Sequence, residues 1–190
     1  MTGPFVAQNL AVFRGERLVF RDISFAVPAG GALLLRGPNG AGKSSLLRAL
    51  AGLTKLATGK LLWGDEDALE DLPTHAKRIA WLGHLDAVKF ALNVGEHVVD
   101  SAALAALGLA SYRDLPAKLL SAGQKRRLAL ARVAASNTPL WLLDEPTNGL
   151  DTASIALLTA VFAAHRAKGG MVIASTHTPL DLPSAEILAL

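Results

Sequence analysis

Apolar and polar positions alternate in two regimes along this chain. Residues 6–13 (VAQNLAVF), 17–27 (RLVFRDISFAV) and 31–37 (GALLLRG) are aliphatic and aromatic runs, separated by turn signals at Arg14-Gly15 and Pro28-Ala29-Gly30, and predict three strands. A helix follows from about Lys43 to Ala51, and further strands are predicted over 60–64, 78–83, 140–144 and 171–176. The last three are short apolar runs without polar alternation, the pattern of parallel strands buried on both faces. Between Leu85 and Ser136 the pattern turns helical and alanine-rich, with the strongest helices over 94–109 and 120–132. No repeat or low-complexity linker interrupts it. Residues 1–190 therefore read as one α/β domain with a helical insertion at about 85–136.

Composition narrows the picture. The length suits a single core. Nineteen basic against sixteen acidic residues leave a net charge of +3, which draws polyanions only weakly unless concentrated. The one concentration is Lys125, Arg126 and Arg127 with Arg132. At helical spacing these four spread over an arc of about 220° rather than forming one stripe. That argues against nucleic acid as a partner and predicts solvated, salt-bridged cations at the start of a buried helix. With no cysteine, disulfides, thiolate zinc sites and covalent haem attachment are excluded within the chain.

The N-terminus has no basic start followed by an apolar run, so export is not expected. The longest uncharged apolar stretches, 102–110 and 155–164, fall short of the roughly 20 residues of a membrane span. A hydrophobic fraction of 51% predicts either many doubly buried strands or an apolar docking surface.

The stretch LLLRGPNGAGKSSLLRALAG carries the first chemistry. Gly37, Gly42, Lys43 and Ser44 stand in the order G-x-x-x-x-G-K-[ST], after a buried strand and before a helix, the context this phosphate-binding motif requires. Glycines let backbone amides turn inward around phosphates, and the helix N-terminus adds partial positive charge. The candidate cradle is Gly37, Pro38, Asn39, Gly40, Ala41, Gly42, Lys43, Ser44 and Ser45. In it Lys43 meets the β- and γ-phosphates, while the Ser44 hydroxyl is a ligand for Mg²⁺. The strand LWLLD ends in Asp144, placed to hold the metal directly or through water. Glu145 follows, placed to orient and deprotonate a water for in-line attack on a γ-phosphate.

GPNGAGKS, LSAGQ, LLDEP, NGLD and STH occur in an order and spacing that resembles the nucleotide-binding domain of ATP-binding-cassette (ABC) proteins. The resemblance runs from about Phe13 to His177. Adenylate kinases, GTPases and helicases share the phosphate loop but lack LSAGQ just before the second acidic strand. It implies a P-loop NTPase fold with an antiparallel β subdomain, a mainly parallel core sheet and a small helical subdomain, using ATP and Mg²⁺.

The same resemblance makes residues 120–124 the signature motif, in which Ser121, Gly123 and Gln124 contact ATP held by a second subunit of a homodimer. Ser121 is also a good helix N-cap in its own right. Asp151 matches the aspartate that touches the partner across the seam, and is equally well placed to cap a helix. His177 matches a γ-phosphate sensor, although a histidine at a strand end is also a common structural residue. Phe13 stands about where an aromatic stacks on adenine, or is an ordinary strand aromatic.

One position departs from the family pattern. A glutamine near the Mg²⁺, coupling to the membrane subunit, is usual where this chain has His84. A neutral imidazole accepts from metal-bound water but a protonated one opposes a cation, so His84 is either a pH-sensitive coupling residue or an exposed loop histidine.

LGH at this place, LSAGQ in place of the commoner LSGGQ and the STHTPL ending resemble the ATP-binding subunits of haem-handling exporters in cytochrome c maturation. That narrower likeness implies multi-pass membrane partners, a peripheral position on the cytoplasmic face of a bacterial inner membrane, and no direct haem binding by this chain. An ATPase for another small solute and a soluble ABC switch protein are the alternatives. The latter usually carries paired cassettes or long coiled-coil inserts, neither of which is present.

Overall fold

The computed structural model describes residues 3–177 and 180–190; Thr178 and Pro179, within the STHTPL stretch, lie outside the described residues. Two sheets form the body. The first is antiparallel and comprises β1 (Phe5–Arg14), β2 (Arg17–Val27), β4 (Thr58–Trp63) and β5 (Glu66–Asp67) in the order β2-β1-β4-β5. The second is parallel: β3 (Ala32–Arg36), β6 (Ile79–Leu82), β7 (Leu140–Asp144), β8 (Met171–Ser175) and β9 (Glu186–Ala189), in the order β6-β7-β8-β3-β9.

Period-two alternation sends successive residues of the parallel strands into two separate cores. Leu33, Leu35, Leu140, Leu142 and Ile173 face a layer shared with the antiparallel sheet and with α1 (Lys43–Leu50), whose Leu46, Leu47 and Leu50 are fully buried there. Leu34, Trp141, Leu143, Val172 and Ala174 face the opposite way, onto a helical layer. All five residues of β7 and of β8 are buried, as their apolar runs predict.

The helical layer comprises α3 (Val94–His97), α4 (Ser101–Ala106), α5 (Ala122–Ala134) and α6 (Thr152–Ala167). A continuous helix over 94–109 is not what forms. The Asp100 carboxylate accepts from the amides of Ala102 at 2.8 Å and Ala103 at 3.4 Å and so starts a new helix, while Val98 is extended. The short α2 (Leu72–Lys77) and the edge strand β9 have no strong periodic signal and are seen only in the structure. Because the core sheet is parallel, the segments following β3, β6, β7 and β8 emerge at one edge, the edge where open α/β sheets bind ligands.

Candidate functional site

The loop after β3 turns through Gly37, Gly40 and Gly42, all at positive φ. Gly42, at φ 109°, caps α1 in a backbone conformation that residues with side chains rarely adopt, and a Cβ there would press on Val19 Cγ1 at 3.0 Å. Lys43, buried, reaches back with its ammonium to the carbonyl oxygens of Gly37 at 2.8 Å and Pro38 at 3.1 Å. An ammonium has three N–H donors, so one remains to be directed at an anion above the loop.

Asp144 ends β7 and is only 5% exposed. Its Oδ1 accepts a 2.6 Å hydrogen bond from the Ser175 hydroxyl on the neighbouring strand. The Ser175 Oγ in turn accepts from the Glu145 amide at 3.0 Å. Glu145 adopts φ 49°, a left-handed conformation uncommon for a residue with a side chain. Its Oε2 lies 2.8 Å from Nδ1 of His177 and 3.4 Å from the His177 amide.

A cleft of about 1310 Å³ joins these groups. Of the expected residues it is lined by Asn39, Gly40, Gly42, Lys43, Ser44, Ser45, His84, Asp144, Glu145 and His177. Arg14, Arg17, Arg48 and Arg132 also line it, so cations converge there from four elements. No local sequence signal marks that convergence. His84 is exposed in the loop after β6. Phe13 is not a lining residue; it is half exposed on β1, beside Arg14, which is. Among the described residues no group of three histidine or carboxylate side chains could cage a metal.

Ser121, Gly123, Gln124 and Asp151 stand outside this cleft. Ser121 caps α5, accepting from the Gln124 amide at 3.2 Å, while Gln124 Oε1 accepts from the Ser121 amide at 2.8 Å. Asp151 caps α6 through the Ser154 amide at 2.8 Å, and hydrogen bonds from the Ser154 side chain and amide hold its carboxyl below the usual range. A Cβ on Gly123 would sit 3.1 Å from the Gly149 carbonyl oxygen, so the starts of α5 and of the 148–151 loop are neighbours.

The cations after Gln124 are not simply solvated. Arg126 is buried, and its guanidinium meets the carbonyl oxygens of Asp144 at 2.8 Å and Glu145 at 2.6 Å and the Asp86 carboxylate at 2.8 Å. Arg127 meets the Leu107 carbonyl at 2.8 Å, at the end of α4, and Arg132 meets the Ala87 carbonyl at 2.9 Å. Lys125 lies over the Phe90 ring. Lys125, Arg126 and Arg132 all reach the 83–90 segment, while Arg127 turns to the end of α4. Sequence reasoning missed Arg126, Asp86 and Ser175 as site residues, since the contacts that define them join positions 18 to 43 residues apart.

Residues 20–148 match the family described as ABC transporter. The chain belongs to the ABC transporter family. It is 52% identical over 98% of its length to the "Cytochrome c biogenesis ATP-binding export protein CcmA" of Paramagnetospirillum magneticum, covering 93% of that protein. It is 49% identical over 98% of its length to the protein of the same name from Rhodospirillum rubrum, covering 85% of it.

Among solved structures, a "bacterial Atm1-family ABC exporter with ATP bound" superposes with a TM-score of 0.86 at 24% identity, over 100% of this chain and 37% of the other. The "ATP binding subunit of ABC transporter" superposes at 0.82 and 23% identity, over 91% of this chain and 79% of the other. These two likenesses establish the ABC cassette fold: a P-loop α/β domain with an antiparallel sheet beside a parallel one. Among the described residues no helix is long and apolar enough to cross a membrane.

Proposed function

We propose that this chain is the ATP-hydrolysing subunit of a cytochrome c biogenesis exporter, working as a homodimer beneath multi-pass membrane partners on the cytoplasmic face of a bacterial inner membrane. Its ATP cycle drives release of haem-loaded chaperone, with no haem bound by this chain. The observation that carries the ATPase reading is the convergence of Lys43, Asp144, Glu145 and His177 on one cleft, with the Glu145 carboxylate held against His177. The near full-length identity to the two export proteins supports the pathway.

In this reading the phosphate-loop amides and the third Lys43 donor hold the β- and γ-phosphates. The donor set suits Mg²⁺: Asp144 has one oxygen engaged by Ser175 and a second to offer, and the Ser44 hydroxyl lines the same cleft. One carboxylate and one hydroxyl fit an ion that shares its shell with phosphate and water rather than sitting in a protein cage. Bound there, Mg²⁺ would neutralise charge between the phosphates.

Glu145, with Oε2 occupied by His177, presents Oε1 to accept a proton from water. The water oxygen bonds to the γ-phosphorus as the bond to the ADP oxygen breaks. His177 Nδ1 pairs with Glu145 Oε2, which leaves Nε2 as the ring atom that meets the γ-phosphate. Ser121 and Gly123, outside their own cleft, are left to face a second copy's nucleotide at the positive end of the α5 dipole.

Exposed Leu85 and Phe90, beside the His84 loop, offer apolar contact to a membrane partner. A Lys43→Ala exchange in the native organism, followed by haem staining of c-type cytochromes, tests the pathway. Loss of holocytochromes is expected; normal levels would reject it and leave the ATPase reading standing.

A further inference from the structure

The guanidinium of Arg126, carried one turn into α5, is a buried cation whose partners come from two segments remote in sequence. Its side chain is 6% exposed. Nη2 donates to the carbonyl oxygens of Asp144 at 2.8 Å and Glu145 at 2.6 Å, and Nε donates to that of Pro146 at 3.4 Å. Nη1 donates to Asp86 Oδ1 at 2.8 Å and to the Gly83 carbonyl at 3.4 Å. A buried charge persists only where it is paired and hydrogen-bonded, and here all of its bonding falls on the turn holding Glu145 and the loop holding His84.

The backbone of Glu145 is consequently gripped from both sides. Its amide is held by Ser175 on β8 and its carbonyl by Arg126 on α5. Between those two anchors the residue sits at φ 49°, a conformation that persists only where surrounding structure over-determines it. That conformation sets the direction of the side chain, and so places the carboxylate 2.8 Å from His177.

We propose that Arg126 is a positioning residue for hydrolysis: by fixing the Asp144–Pro146 turn against α5 and the Asp86 loop, it holds Glu145 in the geometry that activates water. This rests on Glu145 being the general base. It also means that displacement of α5, whose first turn is left to meet a second copy's nucleotide, is felt directly at the catalytic turn of the same chain. A lysine could not replace it, because one ammonium cannot fork across four carbonyls and a carboxylate.

The test is a double-mutant cycle in the full chain, with Arg126→Gln, Glu145→Gln and the pair, measuring single-turnover ATP hydrolysis and the affinity for a fluorescent ATP analogue. Misplacing a catalytic group by about 1 Å costs up to roughly 10²-fold, so Arg126→Gln is expected to slow turnover between about tenfold and a hundredfold. ATP affinity should stay within about twofold, below 1 kcal/mol. The loss should vanish in the Glu145→Gln background, because a residue acting through Glu145 has nothing left to position. A turnover rate near wild type, a parallel fall in ATP affinity, or losses that multiply independently would each overturn the proposal.

If Arg126→Gln does not fold, Asp86→Asn loosens the guanidinium from the other side and decides the matter by the same cycle: a slower turnover confined to the Glu145 background supports it, wild-type turnover refutes it. Should Glu145→Gln itself hydrolyse ATP normally, the general-base reading fails first, and that result is distinct from an inert Arg126.

Discussion

Nδ1 of His177 stands 2.8 Å from Oε2 of Glu145, joining the segment after β8 to the segment after β7 across the mouth of the phosphate loop. The contact engages Oε2 of Glu145 and fixes which way the carboxylate points. Exchange of Glu145 for glutamine keeps an acceptor for His177 but removes the base. Hydrolysis is expected to fall by about 10²- to 10⁴-fold with ATP binding retained. An ATP-bound dimer should then accumulate, visible by size-exclusion chromatography; unimpaired hydrolysis by this variant would show that another group takes the proton.

Ser175 is fully buried and serves two partners, donating to Asp144 and accepting from the Glu145 amide. Ser175→Ala removes both bonds without changing the strand. Leaving buried polar groups short of a partner costs about 1–3 kcal/mol. For a domain of this size that is a fall of about 2–4 °C in Tm per kcal/mol, measurable by thermal denaturation. Hydrolysis should fall as well, since Asp144 loses the hydroxyl that orients its carboxylate, while the Glu145 amide keeps only the Ser175 carbonyl at 3.2 Å. A variant with unchanged Tm and rate would mean that the hydroxyl is dispensable.

Ser121 acts on a different level. Its cap on α5 lies outside its own cleft, so Ser121→Ala is expected to cost about 1 kcal/mol of stability while ATP binding by the isolated chain is unaffected. In the Glu145→Gln background the same exchange should weaken ATP-driven dimerisation. If it instead weakens ATP binding by the single chain, Ser121 serves its own nucleotide.

Stability toward acid should be set partly by His75, buried against Phe5 and Trp63. The indole N–H of Trp63 can only donate, so Nδ1 of His75 accepts from it at 3.0 Å, and Nε2–H donates to the Leu50 carbonyl at 2.9 Å. Both nitrogens are used by the neutral ring. Burial, with a smaller contribution from the charge of Arg78, lowers its pKa below the ordinary 6.5. Below that ordinary value the unfolded chain binds a proton that the folded chain refuses.

The stability contributed by neutral His75 is therefore complete above about pH 6.5 and drains away as pH falls toward the depressed folded value. His165, stacked on Trp141 at 3.7 Å and also lowered by burial, adds to the same trend. Tm should decline between pH 7 and pH 5, and His75→Gln, though less stable at neutral pH, should decline less steeply. Parallel slopes would remove His75 from the explanation.

What could be read from the chain were features whose physics is local. Uninterrupted apolar runs marked β6, β7 and β8, and the glycine-lysine-serine spacing marked a turn able to wrap a phosphate. The caps at Ser121 and Asp151 follow from side chains that bond amides three residues ahead. Even within this local regime one feature failed, because Asp100 restarts a helix that apolar periodicity alone would have continued.

Tertiary structure decided whatever depends on which strand ends meet. The parallel order β6-β7-β8-β3 sets Ser175 beside Asp144 and brings His177 to Glu145, and α5 crossing beneath delivers Arg126 to their carbonyls. Helical angles alone cast Arg126 as one of several surface cations. Its burial follows from neighbours 18 to 43 residues distant, whose approach is set by sheet register and core packing rather than by any pattern along the chain.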